Sequence, residues 1–313
     1  MFEQIIQEIN NHHKIIIIRH QNPDPDAIGS QLGLATVLRN KFPDKKIYTP
    51  GTELEVFDWL GKMQSITDSA YKGALIIAVD TANKIRIDVE HHFTDQEQII
   101  KIDHHPNDDP FGKINWVDEN FSSCAEMIFT FAEKTDLPVN ADAGRLLYAG
   151  LIGDTNRFLY PETNAQTLEI AAKLVKTGIN VSEISQHEDS MSLEISRLEA
   201  YILENFTLTE NGCGYIVIDH RNLRIFNLNP GELDYAVPLI GKINSVKTWA
   251  VISEPEPEKF RVNLRSKAVS INQIAVKYGG GGHPLASGVF LHDYKSVDHL
   301  IEDMDQITKS TVE

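Results

Sequence analysis

The sequence predicts an α/β protein with two domains: a doubly wound, mainly parallel sheet in the N-terminal half and a smaller α/β domain behind it. Three observations predict this. Short aliphatic runs alternate with helical patterns through the first half, which is the signature of a parallel sheet wrapped by crossovers. Past about residue 210 the texture changes to longer strands separated by turn-rich stretches. The chain has 313 residues, and about 150 residues per domain makes that two.

Taken in order, residues 15–19 (IIIIR) read as a buried strand and 27–40 (AIGSQLGLATVLRN) as a helix with apolar spacing near 3.6. The runs 74–80 (ALIIAVD) and 98–103 (QIIKID) are further strands, each ending in Asp. Helical patterns follow at 122–134, 142–151 and 163–177. A polar helical stretch, EDSMSLEISRLEAYILEN, reads as a connector. The expected organisation is therefore a first domain over 1–185, a helical linker over 186–207 and a second domain over 208–313. In the latter, 214–219, 247–254 and 259–266 read as strands of a mixed or antiparallel sheet, with NGCG and PEPEK as turns. A run of four glycines, Gly279 to Gly282, leads into His283.

Composition narrows the function classes. Two cysteines, Cys124 and Cys213, with no CxxC pair exclude a thiolate zinc cluster and a disulfide framework, and point to a reducing cytoplasm. The N-terminal residues do not read as a signal peptide, and the Ile15–Ile18 run is too short to span a bilayer. A net charge of −16 disfavours tracking of a long nucleic acid along a basic groove but allows capture of a small anion in a local pocket.

Ligand-type residues cluster where strands end. His20, Asp24 and Asp26 follow the first strand in HQNPDPDAIGS, Asp80 ends ALIIAVD, and Asp103-His104-His105 ends QIIKID. Asp154 follows a helical stretch in GLIGDT. In open α/β sheets ligands bind beyond the carboxyl ends of the strands, so parallel, adjacent strands would bring these groups to one rim. A lone Asp after a strand is usually a cap or turn residue; the set is much harder to explain so. Four carboxylates (Asp24, Asp26, Asp80, Asp154) would repel one another unless compensated, and two divalent cations would balance them. Oxygen and imidazole donors without thiolate favour Mn²⁺, with Co²⁺ or Mg²⁺ next. Two such ions are a common device for phosphoryl hydrolysis. His12-His13 and His91-His92 read as solvated surface histidines.

On these motifs the chain resembles the DHH family of phosphoesterases, and within it the branch that joins oligoribonuclease and 3′-phosphoadenosine-5′-phosphate (pAp) phosphatase activities. The likeness covers nearly the whole chain: HQNPDPDAIGS (20–30), VDTA (79–82), DHH (103–105) and GDT (153–155) in the first domain, NLRS (263–266) and GGGGHPLASG (279–288) in the second. No ligand position departs from the pattern; Asn156 stands where the family often has glycine. The resemblance implies one metal on His20, Asp24 and Asp80, and another on Asp26, Asp80, His104 and Asp154. It implies attack on phosphorus by a metal-bridging hydroxide, with His105 facing the scissile phosphate and Asp103 orienting an imidazole. The second domain resembles the DHH-associated domain that binds nucleic acid, with the active site in the cleft between the two.

Four consecutive glycines cost backbone entropy. One reading is a flexible loop; the other is close approach of Gly280, Gly281 and Gly282 to an anion, with exposed N–H groups. His283 then adds a donor or stacking ring, and Arg265 and Ser266 a guanidinium and a hydroxyl for phosphate. Between Gly241 and His283 seven basic residues face three acidic ones, a locally basic stretch that suits a substrate clamp. The expected substrates are very short RNAs, pAp, and linear or cyclic dinucleotides such as pApA and c-di-AMP. Neither a membrane nor a long DNA is an expected partner, and a homodimer stays open. A RecJ-like exonuclease would need extra DNA-binding modules, and a pyrophosphatase of the same superfamily would lack the glycine site. A non-catalytic nucleotide sensor would be expected to have lost metal ligands.

Overall fold

The computed structural model describes residues 1–94, 97–228 and 232–309, and divides into two compact units, Met1–Ser190 and Met191–Glu313. The expected second domain ran to residue 313; its last four residues lie outside the described ones. No helix is long and apolar enough to cross a membrane among the described residues.

The first unit contains α1 (Phe2–Asn11), β1 (Lys14–Ile18), α2 (Pro25–Lys41), β2 (Lys46–Tyr48), β3 (Leu75–Val79), β4 (Gln98–Asp103), β5 (Ile114–Val117), α3 (Cys124–Lys134), α4 (Ala141–Asp154), α5 (Ala165–Val175) and α6 (Val181–Asp189). Its five strands are all parallel, in the order β2-β1-β3-β4-β5. The chain thus winds one way from β1 to β2 and the other way from β3 onward, so the sheet reverses between β1 and β3. Every residue of β3 is buried, which explains its unbroken aliphatic run.

One face, carrying Ile15, Ile17, Ile100 and Ile102, packs under the helices in the main core. The other, carrying Ile16, Ile18, Ile76 and Ile99, is covered by loop and turn residues such as Tyr71, Ile87, Phe93 and Phe111. On that side the structure corrects the expectation for His91. It is half-buried, stacks on Tyr71 with centroids 4.0 Å apart, and contacts Asp68 through Nδ1 and Glu97 through Nε2, 3.0 Å away. Two carboxylates and an aromatic face recruit the ring, which no local pattern shows.

The second unit contains α7 (Leu193–Asn205), β6 (Thr207–Leu208), β7 (Cys213–Ile218), α8 (His220–Phe226), β8 (Thr248–Glu256), β9 (Lys259–Ser266), α9 (Asn272–Lys277), β10 (Gly281–His283), β11 (Ala286–Leu291) and α10 (Tyr294–Lys309). The stretch read as a linker over 186–207 divides: its first residues finish α6 in the first unit, and α7 packs in the second against Ile216, Ile218 and Val237. The six-stranded sheet, β10-β11-β9-β8-β7-β6, is mixed, with β7 and β8 parallel and the remaining pairs antiparallel.

Packing of α2 against α4 is unusually close, because glycines face the contact. A Cβ on Gly29 would lie 2.5 Å from the Leu146 carbonyl oxygen and 3.0 Å from Gly150 N. Gly29→Ala should therefore destabilise the protein by about 1–3 kcal/mol of overpacking, although alanine is the better helix former. Thermal unfolding should show a loss of roughly 2–4 °C per kcal/mol. An unchanged melting temperature would mean that the two helices do not meet this tightly.

Candidate metal centre

The residues that follow β1, β3 and β4 meet at the reversal point of the sheet. His20 comes two residues after β1; its Nδ1 lies 2.9 Å from the Gln21 carbonyl, which turns Nε2 toward Asp80 Oδ2 at 3.3 Å and Asp24 Oδ2 at 3.7 Å. Asp24 is the N-cap of α2: its Oδ1 accepts the Ala27 N–H at 2.9 Å, and Pro25 opens the helix behind it. This cap leaves Oδ2 on the histidine side. Asp26, in the first turn of α2, is almost wholly buried. Its Oδ2 accepts the Cys124 N–H at 2.7 Å, and its Oδ1 accepts the Ala125 N–H at 2.9 Å and the Ser30 hydroxyl at 3.2 Å. The positive end of α3 thus receives the carboxylate of α2. Gly150 of α4 makes room for this contact, since a Cβ there would sit 2.8 Å from Asp26 Oδ1.

Asp80 terminates β3 in the left-handed region, with φ of 48°. Its N–H remains tied to the Ile102 carbonyl at 3.0 Å, so the carboxylate turns off the strand while the backbone keeps its place in the sheet. Such a conformation in a non-glycine residue is strained and persists where its surroundings hold it. His104 Nε2 lies 3.4 Å from Asp80 Oδ1 and 3.2 Å from Asp154 Oδ2, the last residue of α4. Three ligand groups result, {His20, Asp24, Asp80}, {Asp26, His104, Asp154} and {Asp80, His104, His105}, each with donor atoms within 4.8 Å of one another. The structure thus brings together all six sequence-nominated ligands, with Asp80 shared.

The electrostatics fit cation binding. Burial alone would lower the His20 pKa, but Asp24 and Asp80 hold it up to about 11. Burial likewise opposes the charge on His104, and Asp80 and Asp154 overcome it. Burial, with Asp80 next, raises Asp26 to about 7, and burial raises Asp154 well above the carboxylate range against the pull of His104. Asp80 goes the other way: burial would raise it, and His104 and His20 hold it well below the usual range. Asp80 Oδ1, buried, accepts no hydrogen bond. A buried carboxylate oxygen without a hydrogen-bond donor, with His104 Nε2 at 3.4 Å and His105 Nδ1 at 3.6 Å while the other oxygen faces His20 Nε2 at 3.3 Å, suits a shared metal ligand. The donors are oxygen and imidazole throughout, a set that suits a divalent cation.

Asp103, at the end of β4, is fully buried and accepts from His105 Nδ1 at 2.9 Å and from the His105 N–H at 3.4 Å. Asn156, at the position where glycine was expected, has φ of 46°, and Arg157 and Phe158 continue in the left-handed region at 56° and 67°. Asparagine tolerates that conformation better than most residues, which accounts for its place there. In the second unit, register places His283 opposite Ala286 and Ala286 opposite Arg265, so Arg265 and His283 share one cross-strand row. Ser266, one residue along β9, belongs to the opposite face by strand alternation, and its Oγ accepts the N–H groups of Ala268 and Val269. The glycines have structural reasons of their own. The Gly279 and Gly280 N–H groups cap α9 on the Val276 and Ala275 carbonyls, and a Cβ on Gly280 would meet the Gly288 oxygen at 2.1 Å. Gly282 has φ of 137°, and Gly281 opens on clear space.

Sequence reasoning missed two buried cations beside the ligands. Arg19, with no exposed side-chain surface, donates to the His20 carbonyl at 3.0 Å, to Asp88 at 2.6 Å and to the Thr52 carbonyl at 2.6 Å, bracing the chain around His20. Lys101, within β4, donates to the Ala82 carbonyl at 2.8 Å and stands 3.4 Å from Asp103 Oδ2. The signal was a basic residue in an otherwise aliphatic buried strand, IIIIR and QIIKID.

Residues 14–151 match the DHH family, N-terminal domain, and residues 222–310 match the DHHA1 domain. A protein of Streptococcus mutans described as a probable bifunctional oligoribonuclease and PAP phosphatase NrnA is 39% identical, the match covering 98% of this chain and 99% of that one. The bifunctional oligoribonuclease and PAP phosphatase NrnA of Bacillus subtilis is 37% identical, with 99% of each covered. A crystal structure of an exopolyphosphatase-related protein from Bacteroides fragilis shares the fold with a TM-score of 0.88, at 23% identity over 98% of this chain and 97% of that one. With these matches and its cluster of candidate metal ligands, the chain belongs to the DHH family of metal-dependent phosphoesterases.

Proposed function

We propose that the protein hydrolyses short oligoribonucleotides and pAp in the cytoplasm, with dinucleotides such as pApA and c-di-AMP in the same substrate class, using two Mn²⁺ ions. The observation that carries this reading is Asp80, whose two oxygens face different ligand groups. His20, Asp24 and Asp80 would hold one ion, and Asp26, Asp80, His104 and Asp154 the other. When bound, two such ions lower the pKa of a water and offset charge on the phosphoryl oxygens. The names of the relatives supply the substrate class.

The chain's own residues do the remaining work. Asp103 fixes His105 through Nδ1, so that the imidazolium hands its Nε2 proton to a phosphoryl or leaving-group oxygen and is left as the neutral ring with its proton on Nδ1. Arg265 and His283, in one row of the second sheet, are the second unit's substrate-binding pair. Arg265 suits a phosphate and His283 a base or phosphate. Ser266 and Gly280 to Gly282 shape the turn and hairpin that carry these two side chains. Both cysteines are buried free thiols, in keeping with a reducing compartment.

The deciding experiment is turnover of pAp, pApA, c-di-AMP and RNAs of graded length, with Mn²⁺ and with chelator. Short substrates should be cleaved in Mn²⁺ and not in chelator; equal or faster cleavage of long strands would point to a processive exonuclease. Asp80→Asn preserves shape and removes the charge, so activity should fall below about 5% of wild type with the fold intact, as for other groups acting within one catalytic unit. Higher residual turnover sinks the shared-ligand role.

His105→Ala should lower kcat about 10²-fold or more while metal content is retained, the scale for losing an acid or a charge stabiliser. Loss of both metals on elemental analysis would make His105 a ligand instead. Arg265→Ala should cost about 1.5–3 kcal/mol, or roughly 10- to 150-fold in kcat/KM on pAp and dinucleotides. A generic phosphodiester such as bis-p-nitrophenyl phosphate should be spared. An equal loss on that ester would assign Arg265 to the fold.

A further inference from the structure

Lys101 is a lysine with no exposed surface in the middle of a parallel sheet. Lysine is almost never buried completely unless paired, because the ammonium gives up its hydration. Here each contact of the ammonium falls on a segment that carries part of the metal centre. Nζ donates to the Ala82 carbonyl at 2.8 Å, two residues past Asp80. It also donates to the Asp109 carbonyl at 3.2 Å and Asn107 Oδ1 at 3.4 Å, in the loop that follows His105. The same two loops are tied again by the Lys84 N–H, which donates to Asp109 Oδ2 at 2.8 Å.

Strand alternation puts Lys101 and Asp103 on one face of β4. Nζ stands 3.4 Å from Asp103 Oδ2, both side chains without exposure, and that oxygen accepts no hydrogen bond. The other oxygen accepts from His105 Nδ1. Asp103 therefore lies between a fixed buried cation and the imidazole, and the cation opposes rotation of the carboxylate away from His105. A brace of the fold alone would need the loop carbonyls; it would not need a charge beside Asp103.

We infer that Lys101 is a positioning residue for His105. Its ammonium holds Asp103, Asp103 holds the imidazole, and the bonds to Ala82 and Asp109 keep the two flanking loops in register with that pair. Lys101 is sealed from solvent and touches no substrate. The inference rests on the catalytic reading of His105.

The test is a double-mutant cycle on the full-length protein in Mn²⁺ with pAp. Lys101→Met should lower kcat roughly 10- to 100-fold, with KM within about threefold, as expected when a catalytic group is misplaced and binding is kept. In the His105→Ala background the same change should cost less than about threefold more, because both substitutions remove one function. Losses that multiply would overturn the inference. Where Lys101→Met does not fold, judged by circular dichroism and thermal unfolding, Lys101→Gln replaces it. The amide can still donate to the loop carbonyls, but the charge is gone. A similar fall in kcat is expected, and wild-type kcat overturns the proposal. The two readings fail separately: unchanged kcat in His105→Ala alone removes the role of His105. A lowered kcat there with multiplicative losses in the double variant removes only that of Lys101.

Discussion

Crowding of carboxylates is the constraint around which the first unit is built. Asp24, Asp26, Asp80 and Asp154 converge on two imidazoles, and like charges at this spacing would drive the segments apart unless each were compensated. The compensation is specific to each residue. Asp24 caps its own helix, Asp26 sits on the opening amides of α3, Asp80 is flanked by His20 and His104, and Asp154 meets His104. For Asp24 and Asp80 these partners leave an oxygen turned toward the cluster. The candidate ligand set is thereby preorganised by helix ends and side chains, and the strain of Asp80 at φ of 48° is part of its cost.

The sheet makes that convergence available. The order β2-β1-β3-β4-β5 reverses between β1 and β3, and the chain leaves both strands on the same rim. At such a reversal the outgoing connections diverge and leave a crevice. Glycines on α2 and α4 let these helices approach until Asp26 reaches α3 and Asp154 reaches His104. The aliphatic core supplies most of the burial, while a few small residues set the distances on which the centre depends.

Charge also enters the strands themselves. Arg19, one residue past β1, and Lys101, within β4, stand where apolar side chains are expected, each fully buried and each bonded to a carbonyl of a segment that carries candidate ligands. Loops that bind metal or substrate are otherwise the least restrained parts of a fold. A buried cation that spans two of them exchanges hydrophobic packing for rigidity at the rim. In the second unit glycine has a comparable double use: the run that invites an anion-binding reading also caps α9 and lets β10 lie close against β11.

The sequence by itself determined the strand–helix alternation, the central strands β1, β3 and β4, the strands of the second sheet from 213 to 266, and all six candidate ligands. These follow from periodicity and from residue types at strand ends and, for Asp154, at a helix end, which are local. Short β2 and β5, with three and four residues, were not legible because their burial comes from neighbours distant in sequence. The connector read over 186–207 was split for the same reason, since contacts and not polarity decide to which core a helix belongs. Only the tertiary structure decided that α3 amides hold Asp26, that Ser266 is engaged by its own turn, and that His91 is not a solvated side chain. Each depends on a partner far along the chain, and a one-dimensional pattern carries no information about which distant amide, carboxylate or ring will lie within 3 Å.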